Sequence, residues 1–163
     1  MLYLIVAKSA SGKDYITDKI CKDFNKEKTI SRTTRQPRYK GENTHKFITF
    51  EQSEKEFNRE DVVAKTVFAD NRYYTLKEDI KDFYIVDVNG IKSFKNYDGD
   101  KTVIYLKIPS YKRIYRIIKR DGFIKGIKRL VNDIGEFTEA KSMADIVCTP
   151  EKLYNMFKEG ILK

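Results

Sequence analysis

Residues 7–14 read Ala7-Lys8-Ser9-Ala10-Ser11-Gly12-Lys13-Asp14, directly after the apolar run Leu2-Tyr3-Leu4-Ile5-Val6. An apolar strand, a turn of small residues and a helix opening on lysine form an arrangement suited to phosphate. Backbone N–H groups converge, the helix N-terminus adds its positive dipole end, and the lysine ammonium reaches the outer phosphate oxygens. Ser9, Ala10, Ser11 and Gly12 would form the cradle, and Lys13 would supply the charge. Two positions depart from the pattern G-x-x-x-x-G-K-[ST]. Ala7 replaces the first glycine, which matters little if its backbone keeps an ordinary conformation. Asp14 replaces the hydroxyl residue, and a carboxylate there can hold Mg²⁺ directly or through water. Asp14 is therefore the candidate metal ligand.

A second constellation, Ser-Arg-Thr-Thr-Arg-Gln-Pro-Arg-Tyr-Lys-Gly-Glu, spans residues 31–42. It sets Arg32, Arg35 and Arg38 around Thr33 and Thr34. Two guanidinium forks can grip one phosphate monoester. Single-stranded nucleic-acid surfaces interleave aromatics with their basic residues, and only Tyr39 does so here. Further arginines cluster at Arg113, Arg116, Arg120 and Arg129.

These side chains need a scaffold. The chain has 163 residues with 40% hydrophobic content, the size and composition of one globular domain. Its 33 Lys and Arg against 24 Asp and Glu leave a net charge of +9, which favours phosphorylated or otherwise polyanionic partners. Two cysteines, Cys21 and Cys148, are too few for a disulfide framework or a cysteine metal site. No apolar run approaches the ~20 residues of a membrane span. No basic-then-apolar leader opens the sequence, so a reduced, cytoplasmic protein is expected.

The apolar patterning predicts buried strands at 2–6, 83–88 and 102–108, and short strands at 28–31 and 145–148. Ile16, Ile20 and Phe24 recur at steps of four and predict a helix over 13–24. Helices are also expected after Ser110 as cap, over 123–134, and at the end of the chain with Pro150 in the first turn. Between His45 and Tyr74 the runs 45–50 and 62–68 read as strands, with a helix between them. Strands alternating with helices imply a parallel sheet covered on both faces, and 45–76 reads as a small inserted antiparallel lobe.

In order and approximate spacing, these pieces resemble the guanylate kinase family of nucleoside monophosphate kinases. Its pattern runs from a phosphate loop to S-x-T-T-R-x-x-R-x-G-E, a tyrosine-bearing strand, N-Y-Y-G, D-x-x-G and an arginine-bearing lid. The corresponding segments are 7–14, 31–42, 45–50, 68–74, 87–90 and 111–130. The resemblance implies an α/β P-loop kinase fold: a parallel sheet core flanked by helices, a small inserted substrate-binding lobe and a helical lid. It implies one domain over 1–163, with its core at 1–31 and 77–163, its acceptor lobe at about 32–76 and its lid at about 119–140. ATP with Mg²⁺ would be the phosphoryl donor, bound by residues 9–14, and a nucleoside monophosphate the acceptor. Ser31, Arg35, Arg38, His45, Tyr74 and Asp87 fall where the family holds the acceptor. His45 stands in place of a tyrosine. Lys13, Arg120 and Arg129 take the catalytic positions, with Arg116 a neighbour. Arg72 reads as an extra residue in the N-Y-Y run, and Ala64 falls near the glutamate that reads guanine.

Two further resemblances stay open. Ribose bisphosphate phosphokinases also carry G-K-D, as at Gly12-Lys13-Asp14, and phosphorylate a sugar phosphate. Catalytically silent guanylate-kinase-like modules keep the acceptor lobe and bind protein partners. A membrane partner is not expected and nucleic acid is disfavoured; monomer and homodimer both fit.

Overall fold

The computed structural model describes residues 1–68, 70–94, 97–132 and 136–163, with the side chains of 68, 121, 129, 132 and 136–138 outside the description. Strand β1 (Leu2–Val6) is buried at all five positions. It pairs in parallel with β6 (Phe83–Ile85) on one side and β7 (Lys101–Leu106) on the other. Strand β8 (Ile146–Cys148) extends the sheet in parallel, giving the order β6-β1-β7-β8. An apolar strand with both neighbours in place has no solvent face, which is why it reads as a run rather than an alternation.

The two faces of β1 build two cores. Leu2, Leu4 and Val6 pack with Val88, Ile91 and Phe94 of α3 (Val88–Ser93) and its C-cap. Tyr3, Ile5 and Ala7 pack with Ile16 and Ile20 of α1 (Lys13–Asp23) and with Leu153 and Phe157 of α7 (Pro150–Lys158). Thr149 caps α7, accepting from the Lys152 N–H at 3.2 Å, and Pro150 occupies the first turn as expected.

The inserted segment forms its own sheet, ordered β3-β2-β5-β4. Its strands are β2 (Arg32–Thr33), β3 (Lys46–Phe47), β4 (Val62–Phe68) and β5 (Asn71–Leu76). A short helix, α2 (Phe50–Glu56), opens on a capping box in which Thr49 and Gln52 exchange hydrogen bonds of 3.1 and 3.0 Å.

Two expectations change, and two elements appear that the sequence pattern did not announce. Residues 28–31 are not a strand; only Lys28 bridges to Phe83, and the strand lies at Arg32–Thr33, where Tyr73 and Tyr74 supply the partner backbone. Strand β5 and helix α3 had no apolar periodicity to announce them. Ser110 is the first residue of α4 (Ser110–Asp121) rather than its cap, a position taken by Pro109 without a side-chain bond. The expected lid region holds the end of α4, α5 (Phe123–Asn132) and the start of α6 (Glu136–Ser142).

Arg32 joins the parts of the inserted sheet. Its guanidinium donates to Asp79 at 2.7 Å, Glu56 at 2.8 Å and Glu78 at 2.8 Å, and its side chain is 7% exposed. Hydrogen bonding to Asp79 and Glu56 raises its pKa despite burial. Removing a partnered, largely buried charge leaves its counter-charges uncompensated. Arg32→Met is expected to lower the unfolding free energy by about 2–3 kcal/mol, somewhat less than a fully buried pair because Glu78 faces solvent. Urea titration followed by circular dichroism would read this as a lower midpoint.

Candidate active site

All four strands of the core sheet run parallel, so their carboxyl ends share one edge, where α/β folds place ligands. The loop after β1, Asp87 after β6, helix α4 after β7 and the β8–α7 turn all meet that edge.

In the loop after β1, Ala10 and Gly12 adopt left-handed backbone conformations, with φ of 58° and 83°, while Ala7 does not. The glycine lost at position 7 is thus not needed for conformation. The strained residue is Ala10, because a non-glycine residue there forfeits steric freedom. Two arginines of α4 brace the turn. Arg113 Nε donates to the Ser9 carbonyl at 2.9 Å, and Arg116 Nη1 to the Ala10 carbonyl at 3.3 Å. Ser11 Oγ is buried and has no hydrogen-bond partner among the described residues. Lys13 begins α1, its Nζ 3.7 Å from Asp14 Oδ2, and the Asp14 side chain is 68% exposed. A cavity of about 590 Å³ beside the loop is lined by Gly12, Tyr15, Lys107, Arg116 and Pro150 among others.

The arginine loop is organised by Glu42, whose side chain is almost fully buried. It accepts from Arg35 Nη2 at 2.8 Å, Thr44 Oγ1 at 2.6 Å and the Arg38 N–H at 2.6 Å. These bonds, Arg35 foremost, hold its pKa down at about 2. Thr33 and Thr34 lock the intervening backbone, taking N–H groups from Arg35 at 3.1 Å and Arg72 at 2.9 Å. Arg35 also stacks on Phe47 at 5.2 Å, and its Nε is buried without a partner. The Arg38 side chain is exposed. Sequence reasoning missed Glu42 as a positioning group; its place in the motif and its acidity beside three arginines were the available signal.

Ser31 Oγ lies 2.8 Å from His45 Nδ1, so these two candidates do come together. The His45 ring meets Tyr73 edge-on at 5.6 Å. Tyr74 lies elsewhere than the sequence suggested. Strand β5 pairs with β4 without interruption at Arg72, which sits opposite Val67, so Arg72 is not an insertion. Period-two alternation then turns Arg72 and Tyr74 to the face of α2, where Tyr74 Oη donates to Glu56 at 2.7 Å. Burial, reinforced by Glu56, pushes the Tyr74 pKa up. The phenol on the His45 face is that of Tyr73, and Arg35 interacts with it.

Asp87 caps α3, its Oδ1 accepting the Gly90 N–H at 2.7 Å. A Cβ on Gly90 would stand 2.7 Å from Val86 Cβ, which explains the glycine of the D-x-x-G pattern. Asp87, Ala64, Thr66 and Tyr73 line one cavity of about 260 Å³ spanning the two sheets. Arg120 lies in α4, one turn beyond Arg116, and is exposed. Arg129 lies in α5, and its side chain is outside the described residues.

A phosphate loop on a parallel sheet, with a second basic loop on an inserted lobe, defines an α/β fold of the phosphate-loop class. The guanylate kinase family model matches residues 1–125, and the chain belongs to that family. A guanylate kinase of Porphyromonas gingivalis (strain ATCC BAA-308 / W83) is 29% identical over 137 residues, covering 74% of this chain and 72% of that protein. The crystal structure of guanylate kinase from Anaplasma phagocytophilum shares the fold, with a TM-score of 0.61 at 15% identity over 98% of this chain and 84% of that one. No helix among the described residues is long and apolar enough to cross a membrane.

Burial first, and then the charge of Arg35, lower the His45 pKa from 6.5. A histidine kept neutral by the fold adds stability that is complete above pH ~6.5 and is lost as pH falls below it. His45 is the one histidine in the chain, so its ring resonances are unambiguous. Titration by NMR is expected to give a midpoint below 6.5; a midpoint at or above that value would contradict the burial.

Proposed function

We propose that the chain transfers the γ-phosphoryl group of ATP to a nucleoside monophosphate, giving ADP and a nucleoside diphosphate. One observation carries this reading. Each basic constellation holds a buried polar atom without a partner among the described residues, Ser11 Oγ in one and Arg35 Nε in the other. Buried polar atoms are costly unless something satisfies them. Two such sites suit a donor polyphosphate and an acceptor phosphate.

The loop at 9–14 binds the donor phosphates through its N–H groups, and Lys13 neutralises charge on the phosphoryl group in transit. The cavity beside Gly12 and Pro150 takes the donor nucleoside. Arg35 and Arg38 hold the acceptor phosphate, Arg35 oriented by Glu42, with Ser31, His45 and the Tyr73 hydroxyl at the same face. Arg116 and Arg120 of α4, together with Arg129 of α5, offset the charge that builds on the migrating group. Asp87 lies toward the acceptor nucleoside.

An acceptor phosphate is already largely dianionic near neutral pH, its second pKa being ~6. Its oxygen attacks the γ-phosphorus while the bond to the β–γ bridging oxygen breaks, and the departing ADP keeps that electron pair. No side chain must remove a proton; positioning and charge neutralisation supply the rate. Mg²⁺ usually takes one or two carboxylates plus substrate phosphates. Asp14, an exposed carboxylate in the first turn of α1, fits that donor set, and the ion would neutralise phosphate charge.

ADP release from ATP and Mg²⁺, followed over a panel of nucleoside monophosphates with ribose 1,5-bisphosphate included, tests the reading. Turnover with at least one nucleoside monophosphate is expected. Turnover with the sugar bisphosphate alone would reassign the acceptor, and none at all would overturn the kinase reading. Lys13→Met is expected to lower kcat by about 100-fold or more, the scale of losing a preorganised donor to the transition state. Glu42→Gln removes the anion that orients Arg35. It is expected to raise the KM for the monophosphate about ten-fold or more, the lower end of the ~1.5–3 kcal/mol of a charge-assisted hydrogen bond, with the KM for ATP little changed.

A further inference from the structure

The cavity between the inserted sheet and the edge of the core sheet is where the acceptor base would lie, if the kinase reading above holds. Residues lining it include Ala64, Thr66, Tyr73, Tyr84, Val86 and Asp87. What matters for recognition is how few polar groups there remain uncommitted. Tyr84 Oη and Thr75 Oγ1 bond each other at 2.7 Å, and burial pushes the Tyr84 pKa up, so this phenol stays neutral. Asp87 Oδ1 is engaged by the Gly90 N–H, and the other carboxylate oxygen is an acceptor that an N–H of any of the four bases can meet. Lys65 contributes backbone alone, because its ammonium lies across the strand, 3.2 Å from Asn58 Oδ1 and over the Phe57 ring. Ala64, opposite Thr75 in the β4–β5 ladder, presents a methyl group to the cavity.

Strong discrimination between bases needs fixed donors and acceptors that a wrong base leaves unpaired, and such sites reject by about 10⁴-fold or more. An aromatic and apolar slot rejects a mismatch by only ~10–200-fold, because shape is its main criterion. Base faces also stack on aromatic rings with little regard to identity.

We infer that this chain is a base-tolerant kinase, accepting purine and pyrimidine nucleoside monophosphates alike. The phosphate grip of Arg35 and Arg38 supplies most of the affinity. The slot formed by Tyr73, Tyr84 and Val86 holds the base by contact.

Calorimetric titration of the whole chain with AMP, GMP, CMP and UMP tests this. Their dissociation constants are expected to lie within about thirty-fold of one another, the range of an apolar slot. One monophosphate binding more tightly than the next by a larger factor overturns the inference, and so does failure to bind any of them. Ala64→Glu places a carboxylate on the cavity wall, where it can accept the two adjacent N–H groups of guanine. It is expected to raise the preference for GMP over AMP at least ten-fold, and an unchanged ratio counts against the placement of the base. Should that variant not fold, Thr66→Val removes a hydroxyl from the cavity wall and is expected to leave the ranking unchanged within three-fold. A loss confined to one base would overturn the inference. Turnover assays in parallel separate the two claims. Even binding without turnover retains base tolerance and removes the kinase reading. Turnover confined to one base does the reverse.

Discussion

The burial of β1 on both faces is the constraint from which the rest follows. Five consecutive residues without solvent exposure admit one solution, a central strand with a neighbour on each edge and a helical layer on each side. Its alternate side chains enter separate cores, so the strand is fixed in register as well as position. The loop that follows therefore leaves from an anchored point. A left-handed Ala10 survives there because Arg113 and Arg116 clasp the carbonyls on either side of the turn. Strain at a ligand loop persists where its surroundings over-determine it.

The arginines illustrate how one residue type serves two ends. Arg32 and Arg35 lie three apart in one motif, yet Arg32 is consumed by Asp79, Glu56 and Glu78 beneath the inserted sheet. Arg35 is held from one side by Glu42 and rests on Phe47. A guanidinium with a buried counter-ion on one flank stays oriented without bound anion and avoids the entropy of being ordered at binding. Glu42 thus determines how the Arg35 fork is presented.

The sequence revealed the parts whose burial is one-dimensional. The run at 2–6, the stripe at Ile16 and Ile20, and Pro150 in the first turn of the last helix all matched, because local pattern and packing agree there. Strand β5 stayed hidden because both its faces are occupied by polar-tipped residues: Arg72 and Tyr74 toward α2, Tyr73 at the cavity and Thr75 against Tyr84. No apolar alternation survives that arrangement. The same strand explains the misplacement of Tyr74. Without knowing that β5 keeps regular register against β4 from Asn71 to Thr75, Arg72 looks like an insertion, and Tyr74 is assigned to the wrong face. At the phosphate loop, residue types alone located the turn but not its bracing, since Arg113 and Arg116 arrive from about a hundred positions away.

Nine basic residues and one acidic residue lie between 107 and 131, so this stretch carries eight of the nine net positive charges. It comprises the approach to α4, α4 itself and most of α5, which overhang the phosphate loop. A field so lopsided acts before any contact forms. It draws a polyanion toward the open edge of the sheet and orients it phosphate-first, raising the encounter rate above that of an even surface. Because such attraction decays over about 10 Å at 0.1 M salt, added electrolyte slows capture while leaving the step after capture largely untouched. The chain's excess charge is therefore a kinetic device, whose benefit depends on the ionic strength around it.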